Sequence, residues 1–198
     1  MPALTEANDI IRASNIAASE VGALIDEHPY SSRASIYDRL TDPHPVKIEQ
    51  TEAMALGQFF EPAIARYVAK KYGLRLRANN RTLVHPRIML CATPDYFVLG
   101  ERMLIECKLS SKQYVWAEET MQPYIEWQAR AQMAVTDRQV CIIAALVGSA
   151  FYAVPIVRDA AKEELLETAV QTFVRDHLQT GIRPDEVDRS KVKRIVVQ

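Results

Sequence analysis

The sequence predicts one α/β domain, a central mixed sheet flanked by helices, and three features predict it. Leu56, Phe60, Ile64 and Val68 recur at four-residue steps and mark a long helix with one apolar stripe. The middle of the chain breaks into short apolar runs separated by turn residues, which read as strands. A second amphipathic stretch closes the chain from about Arg158 to Gln179, ending at Gly181 and Pro184. At 198 residues the chain suits one compact unit with a real core.

Taken in order, the opening residues are polar. A short helix is expected over Asn15–Asp26, capped by Ser19 or an earlier polar residue. His28-Pro29-Tyr30-Ser31-Ser32 reads as a loop. A second helix, Ser35–Leu40, stops at Thr41-Asp42-Pro43-His44-Pro45, because proline ends helices. The long helix runs from about Glu49 to Tyr72 with Gly73 as its C′ residue, and Pro62 predicts a kink or boundary inside it. Arg81–Val84 and Arg87–Ala92 are short strands. Asp95–Leu99 and Met103–Leu109 flank Gly100-Glu101-Arg102 as a hairpin. Tyr114–Thr136 is mainly helical with an interruption at Pro123. Gln139–Val147 and Ala150–Val157 form a second hairpin about Gly148-Ser149. Residues 1–45 are expected to form a helical N-terminal part of the domain that binds the end of a nucleic acid, and residues 185–198, with the basic Lys191–Arg194, a mobile tail.

Apolar residues make up 48% of the chain and charged residues 25%, an ordinary composition for a water-soluble domain. A net charge of −1 excludes a broadly basic nucleic-acid binder, so any contact with a polyanion has to come from a local patch. Cys91, Cys107 and Cys141 form no CxxC pair and fit no zinc or iron–sulfur spacing; isolated in apolar runs, they read as reduced, buried thiols of a cytosolic protein. Met1–Glu6 lacks the basic and apolar regions of a signal peptide, and no apolar run approaches the roughly 20 residues of a membrane span. His28, His44, His85 and His177 show no ligand spacing and are expected to be structural. Trp116 and Trp127 read as core or interface anchors, with an aromatic wedge at a duplex end as the sharper alternative.

The chemistry centres on Thr93-Pro94-Asp95 followed by Glu106-Cys107-Lys108. Strand side chains alternate, so Leu104, Glu106 and Lys108 share one face, and Ile105, Cys107 and Leu109 share an apolar face that should pack inward. Folding the hairpin about Glu101 sets Asp95 opposite the Glu106–Cys107 step. Two carboxylates then come within reach of one hard cation, with an ammonium two residues along. Taken alone, a charged residue at alternate strand positions is a solvated face. Here, however, Glu106 and Lys108 interrupt an apolar run, where charges are costly without partners. Carboxylate oxygens suit Mg²⁺, which polarises a phosphoryl oxygen and activates water, while a lysine steadies developing negative charge.

Five blocks, in order, resemble the YqaJ-type viral recombinase family, the group that includes phage lambda exonuclease: Ile16-Ala17-Ala18-Ser19-Glu20-Val21, Gly57-Gln58-Phe59-Phe60-Glu61-Pro62, Thr93-Pro94-Asp95, Ile105-Glu106-Cys107-Lys108 and Gln128–Thr136. The resemblance spans about Arg12 to Pro184. It implies a PD-(D/E)xK restriction-endonuclease-like fold and a DNA exonuclease that works from duplex ends, 5′ to 3′, in phage-type recombination. It implies that Asp95, Glu106 and the Cys107 carbonyl hold Mg²⁺, with Mn²⁺ as a substitute. Lys108 would be the catalytic lysine, Glu61 the helix-borne acid for a second metal or its water, and Gln128 a neighbour of the site. Arg12 and Ser19 would anchor a 5′-phosphate, with the Thr93 hydroxyl nearby. Tyr124 also occupies a family-like place. The partners implied are double-stranded DNA ends, a single-strand-annealing protein and two further copies in a trimeric ring. The setting implied is the cytoplasm of a bacterial host carrying a phage or prophage gene. Two other readings stand beside this one: a RecB-like nuclease of another branch, and a non-catalytic DNA-binding or phage-interaction module that keeps the fold.

Overall fold

In the computed structural model, residues 6–42, 50–110 and 121–186 are described. His44, Trp116, Lys191–Arg194 and the expected helix start at Tyr114 lie outside them. The elements are α1 (Glu6–Ala13), β1 (Ile16–Ala17), a 3₁₀ turn (Ala18–Glu20), α2 (Val21–Leu24), α3 (Arg33–Thr41), α4 (Glu52–Tyr72), β2 (Leu76–Ala78), β3 (Leu83–Val84), β4 (Leu90–Ala92), β5 (Tyr96–Val98) and β6 (Met103–Ser110). There follow α5 (Pro123–Thr136), β7 (Val140–Val147), β8 (Ala150–Val157), α6 (Ala160–Phe173) and a π-helical turn (Val174–Leu178).

Five strands form the main sheet in the order β2-β5-β6-β7-β8. The β5–β6 hairpin is antiparallel, pairing Phe97 with Leu104 and Tyr96 with Ile105. β6 and β7 are parallel, which requires a crossover, and α5 lies in it. β7 and β8 return to antiparallel pairing. The sequence Val-Cys-Ile-Ile-Ala-Ala-Leu-Val of β7 is apolar throughout because helices cover both faces of this part of the sheet. A second, small sheet has the order β1-β4-β3, with Ile16 and Ala17 running parallel to Leu90 and Cys91.

α4 covers one face of the main sheet, where Ile64 and Val68 meet Val98, Ile105 and Ala144. α5 covers the other, where Ile125, Ala129 and Met133 meet Phe97, Leu104 and Ile143. The opposite side of α5 is buried too: Trp127 and Ala131 pack with Leu90, Leu166, Val170 and Phe173. Only the Glu126–Arg130 pair, an i,i+4 ion pair at 2.7 Å, remains on an open side of this helix. The 128/132 positions are therefore the one polar strip that α5 directs inward.

The structure corrects several expectations. The polar opening carries a helix that was not placed from sequence: α1 forms, and its buried Asn8 ties it to the β2–β3 connection, with Nδ2 donating to Asn80 O at 2.9 Å and Oδ1 accepting from Thr82 N at 2.9 Å. Residues 15–26 are not one helix, because Ile16 and Ala17 leave as a strand; Ser19 lies exposed within the 3₁₀ turn and caps nothing. α4 runs unbroken through Pro62, held by its packing on the sheet, so no boundary falls there. Pro123 opens α5, the position where its missing N–H is harmless, and residues 114–120 of the expected helix lie outside the described residues. Trp127 is core, with its Nε1 donating to Glu27 at 2.5 Å, which removes it as a wedge.

α2 and α5 approach closely at Gly22. A Cβ there would stand 3.1 Å from the Cα of Tyr124, tighter than ordinary contact. This approach sets the 3₁₀ turn beside the first turns of α5. Gly22→Val is accordingly expected to destabilise the fold by about 1–3 kcal/mol through overpacking, measured as a lowered urea midpoint with unchanged slope. A wild-type midpoint would show that the two helices can part freely.

Candidate active site

The hairpin register places Asp95 just ahead of β5, opposite the Glu106–Cys107 step of β6. The backbone N–H of Cys107 donates to Asp95 Oδ2 at 2.7 Å. This contact is the one expected from folding about Glu101. The Glu106 face of β6 is not a solvated one: Leu104 is fully buried and Glu106 is 4% exposed, because α5 lies over them. A buried carboxylate is tolerable only when its oxygens are satisfied. Glu106 Oε1 accepts from Lys108 Nζ at 2.8 Å and from Gln128 Nε2 at 2.7 Å. Oε2 accepts from Gln132 Nε2 at 2.7 Å. Lys108 Nζ also donates to Gln128 Oε1 at 2.9 Å, closing a triangle.

Glu61 enters from α4 and is buried. It lies near the Tyr96 hydroxyl, and its Oε1 has no hydrogen-bond partner among the described residues. The electrostatics follow from crowding. Burial, and then the nearby Glu106 and Glu61, push the Asp95 carboxyl well above the usual range. Burial and Glu106 also raise Glu61. Burial alone would lower the Lys108 ammonium, but Glu106 and Asp95 outweigh it and hold the amine above its ordinary value, hence charged. Burial raises the Tyr96 phenol to about 12. Cys107 and Cys141 are likewise pushed up, chiefly by burial, which keeps them as neutral thiols.

The residues proposed for a phosphate also meet here. Arg12, Ser19, Thr93, Gln128 and Gln132 line one small recess with Cys91. Arg39 holds the backbone that carries Arg12, with Nη1 donating to Arg12 O at 2.7 Å and Nη2 to Asn15 O at 3.0 Å. The same guanidinium pairs with Glu20 at 2.6 Å, and Glu20 in turn accepts from Ala17 N at 2.8 Å. Tyr124 does not precede the helix; it lies in its first turn and packs on His28, 4.9 Å between ring centres. The described histidines are structural: His28 Nδ1 accepts from Ser31 N, His85 Nδ1 from Ile88 N, and His177 bonds to Ile182 O.

Gln132, Tyr96 and Arg39 were given no role from sequence. Gln132 had a readable signal: it stands four residues after Gln128 and so shares its helix face, polar between Ala131 and Met133. Arg39 and Tyr96 had none, since their partners lie far along the chain.

Among the described residues no three His, Cys, Asp or Glu side chains surround a common point in ligand geometry. The donor chemistry nevertheless fits a hard cation. Asp95 and Glu61 are both raised by burial and by the neighbouring Glu106 carboxylate, and Glu61 carries a buried oxygen without a partner among the described residues.

An acid ahead of one hairpin strand, an E-x-K triplet on the next and a helix-borne acid, on a mixed sheet between helices, define the PD-(D/E)xK type of fold. The chain belongs to the YqaJ-like viral recombinase domain family, which it matches over residues 10–139. It is 23% identical over 181 residues to the uncharacterized protein YqaJ of Bacillus subtilis strain 168, covering 88% of this chain and 57% of that protein. This chain thus spans little more than half of that relative's length. The alkaline exonuclease LHK-Exo from Laribacter hongkongensis superposes with a TM-score of 0.71 at 23% identity, over 96% of this chain and 97% of that one. Its complex with dAMP gives a TM-score of 0.71 at 24% identity, over 97% of this chain and 100% of that one. A phage-related exonuclease from Haemophilus somnus 129PT gives 0.65 at 12% identity, covering 87% and 99%.

The raised Asp95 has a measurable consequence. Between the ordinary carboxylate range and its raised value, the folded protein keeps a proton that the unfolded chain gives up. Stability therefore falls as pH rises through that window, and the loss is complete above it. In EDTA at pH 8, Asp95→Asn should melt above wild type, and the gap should close as the pH is lowered toward 4. An Asp95→Asn protein that melts below wild type at pH 8 would contradict the crowding.

Proposed function

We propose that this chain is a metal-dependent DNA exonuclease that hydrolyses phosphodiester bonds from duplex ends, 5′ to 3′. The observation that carries this reading is the meeting of Asp95, Glu106 and Glu61 beside a charged Lys108, next to a recess lined by Arg12, Ser19 and Thr93. The likeness to an alkaline exonuclease and a phage-related exonuclease supports it.

Asp95, Glu106 and the Cys107 carbonyl would hold Mg²⁺, or Mn²⁺ in its place, with Glu61 serving a second ion or its water. When bound, the ion supplies Lewis-acid activation of the phosphoryl group and of water. The chain's own groups do the rest. Lys108, held by Glu106 and Gln128, would steady the negative charge that grows on the phosphate oxygens. Gln128 fixes Lys108 through a 2.9 Å hydrogen bond while donating to Glu106. The Arg12 guanidinium and the Ser19 and Thr93 hydroxyls would bind the terminal 5′-phosphate and so set which bond reaches the acids. The reading extends to a trimeric ring that retains DNA by threading, since a net charge of −1 gives a lone copy no broad attraction for a polyanion. It extends also to a single-strand-annealing partner and to the cytoplasm of a bacterial host. No helix among the described residues is long and apolar enough to cross a membrane.

The test uses linear duplex bearing a 5′-phosphate or a 5′-hydroxyl, alongside covalently closed circles, in Mg²⁺ or in EDTA. Linear DNA should be digested in Mg²⁺ alone, and circles should survive. Lys108→Gln, which keeps donors toward Glu106, should lower the rate by about 100-fold or more without loss of fold. Arg12→Ala should reduce the preference for the phosphorylated end by about 10- to 100-fold, the worth of a charge-assisted hydrogen-bond set. Digestion in EDTA, or a fully active Lys108→Gln protein, would sink the proposal; an unchanged end preference in Arg12→Ala would remove the anchor.

A further inference from the structure

Gln132 is 1% exposed, buried in the middle of α5. An amide there is costly unless both of its ends are paired, and both are. Nε2 donates to Glu106 Oε2 at 2.7 Å. Oε1 accepts from the Cys141 thiol on β7 at 3.8 Å, a weak bond with a directional effect. Rotating the amide by half a turn would set its carbonyl oxygen against the carboxylate and its NH₂ against the thiol. The amide therefore has one orientation.

The two oxygens of Glu106 are served differently. Oε1 is shared by Lys108 and Gln128, two side chains that also bond each other. Oε2 has Gln132 as its single donor among the described residues. A carboxylate offers roughly four lone-pair sites. Two are taken on Oε1 and one on Oε2, so by this count the site left for a cation is on the oxygen that Gln132 orients. Volume alone does not demand a glutamine here: Cys141, which it touches, is apolar and buried, and a methionine is of similar length and volume.

We propose that Gln132 is a positioning residue for the metal site: its buried amide, oriented by Cys141, aims the Glu106 carboxylate at the cation. The inference rests on the metal-dependent reading above. Groups behind metal ligands commonly set affinity by 10- to 100-fold.

The experiment is calorimetric titration of the full chain with Mn²⁺ alone, with thermal melting in EDTA as the check on folding. Wild type should bind saturably, and Asp95→Asn should bind weakly or not at all. Gln132→Met should weaken Mn²⁺ binding about tenfold or more while still melting cooperatively in EDTA. Should Gln132→Met fail to fold, Cys141→Val and Cys141→Ser carry the test. Valine should weaken Mn²⁺ binding and serine, which keeps a donor, should not. Wild type without saturable binding, or Asp95→Asn binding as well as wild type, overturns the metal reading and this inference with it. Binding lost in Asp95→Asn but intact in Gln132→Met, or in Cys141→Val if that pair is used, overturns the positioning role alone.

Discussion

The hydrogen bond from the Cys107 N–H to the Asp95 carboxylate ties the backbone of one hairpin strand to the acid that precedes the other. A one-residue slip of this hairpin would turn Glu106 and Lys108 to the α4 face and bring Ile105 and Cys107 to α5. The register thus decides at once which side chains form the core and which carboxylates meet. The parallel pairing of β6 with β7, imposed by the α5 crossover, then fixes β6 from its other side, pairing Glu106 with Ile143.

α5 is the second constraint. It lies between the main sheet on one side and α2, α6 and the small sheet on the other, so each of its inward strips has an assigned neighbour. Ile125, Ala129 and Met133 hold it on the sheet; Trp127 and Ala131 hold it on the small lobe. The remaining strip, Gln128 and Gln132, is delivered to Glu106 with the tolerance of a packed core rather than of a loop. Burial of Glu106 is the cost of this arrangement, offset by Lys108 and two amides. Glu61 is less well compensated, and its unpaired oxygen marks where the protein departs from the rule that buried polar atoms find partners.

Much of this was legible in the sequence, and the reasons differ by residue. Asp95, Glu106 and Lys108 could be read because hairpin geometry is local and alternation is strict. The long stripe of α4 and the hairpin about Gly148 were read on the same kind of short-range period. Residues 15–26 were misread because pairing of Ile16 with Leu90 depends on a strand far along the chain, and tertiary pairing overrode helical propensity. α1 was missed for a similar reason: its anchor, Asn8, finds its partners at Asn80 and Thr82. The burial of both faces of β6 was missed because alternation reports which residues share a face, not what lies over it. The backbone that carries Arg12 to its recess with Ser19 and Gln128 is held by Arg39, whose bonds to Arg12, Asn15 and Glu20 leave no trace in local pattern.

The central claim is that the crowded carboxylates form a divalent-cation site. Anomalous scattering from Mn²⁺-soaked crystals tests it most directly. The account predicts a strong peak in contact with Asp95, Glu106 and the Cys107 carbonyl, with Glu106 Oε2 still bonded to Gln132. No peak at saturating Mn²⁺, or a peak that touches neither Asp95 nor Glu106, would contradict it.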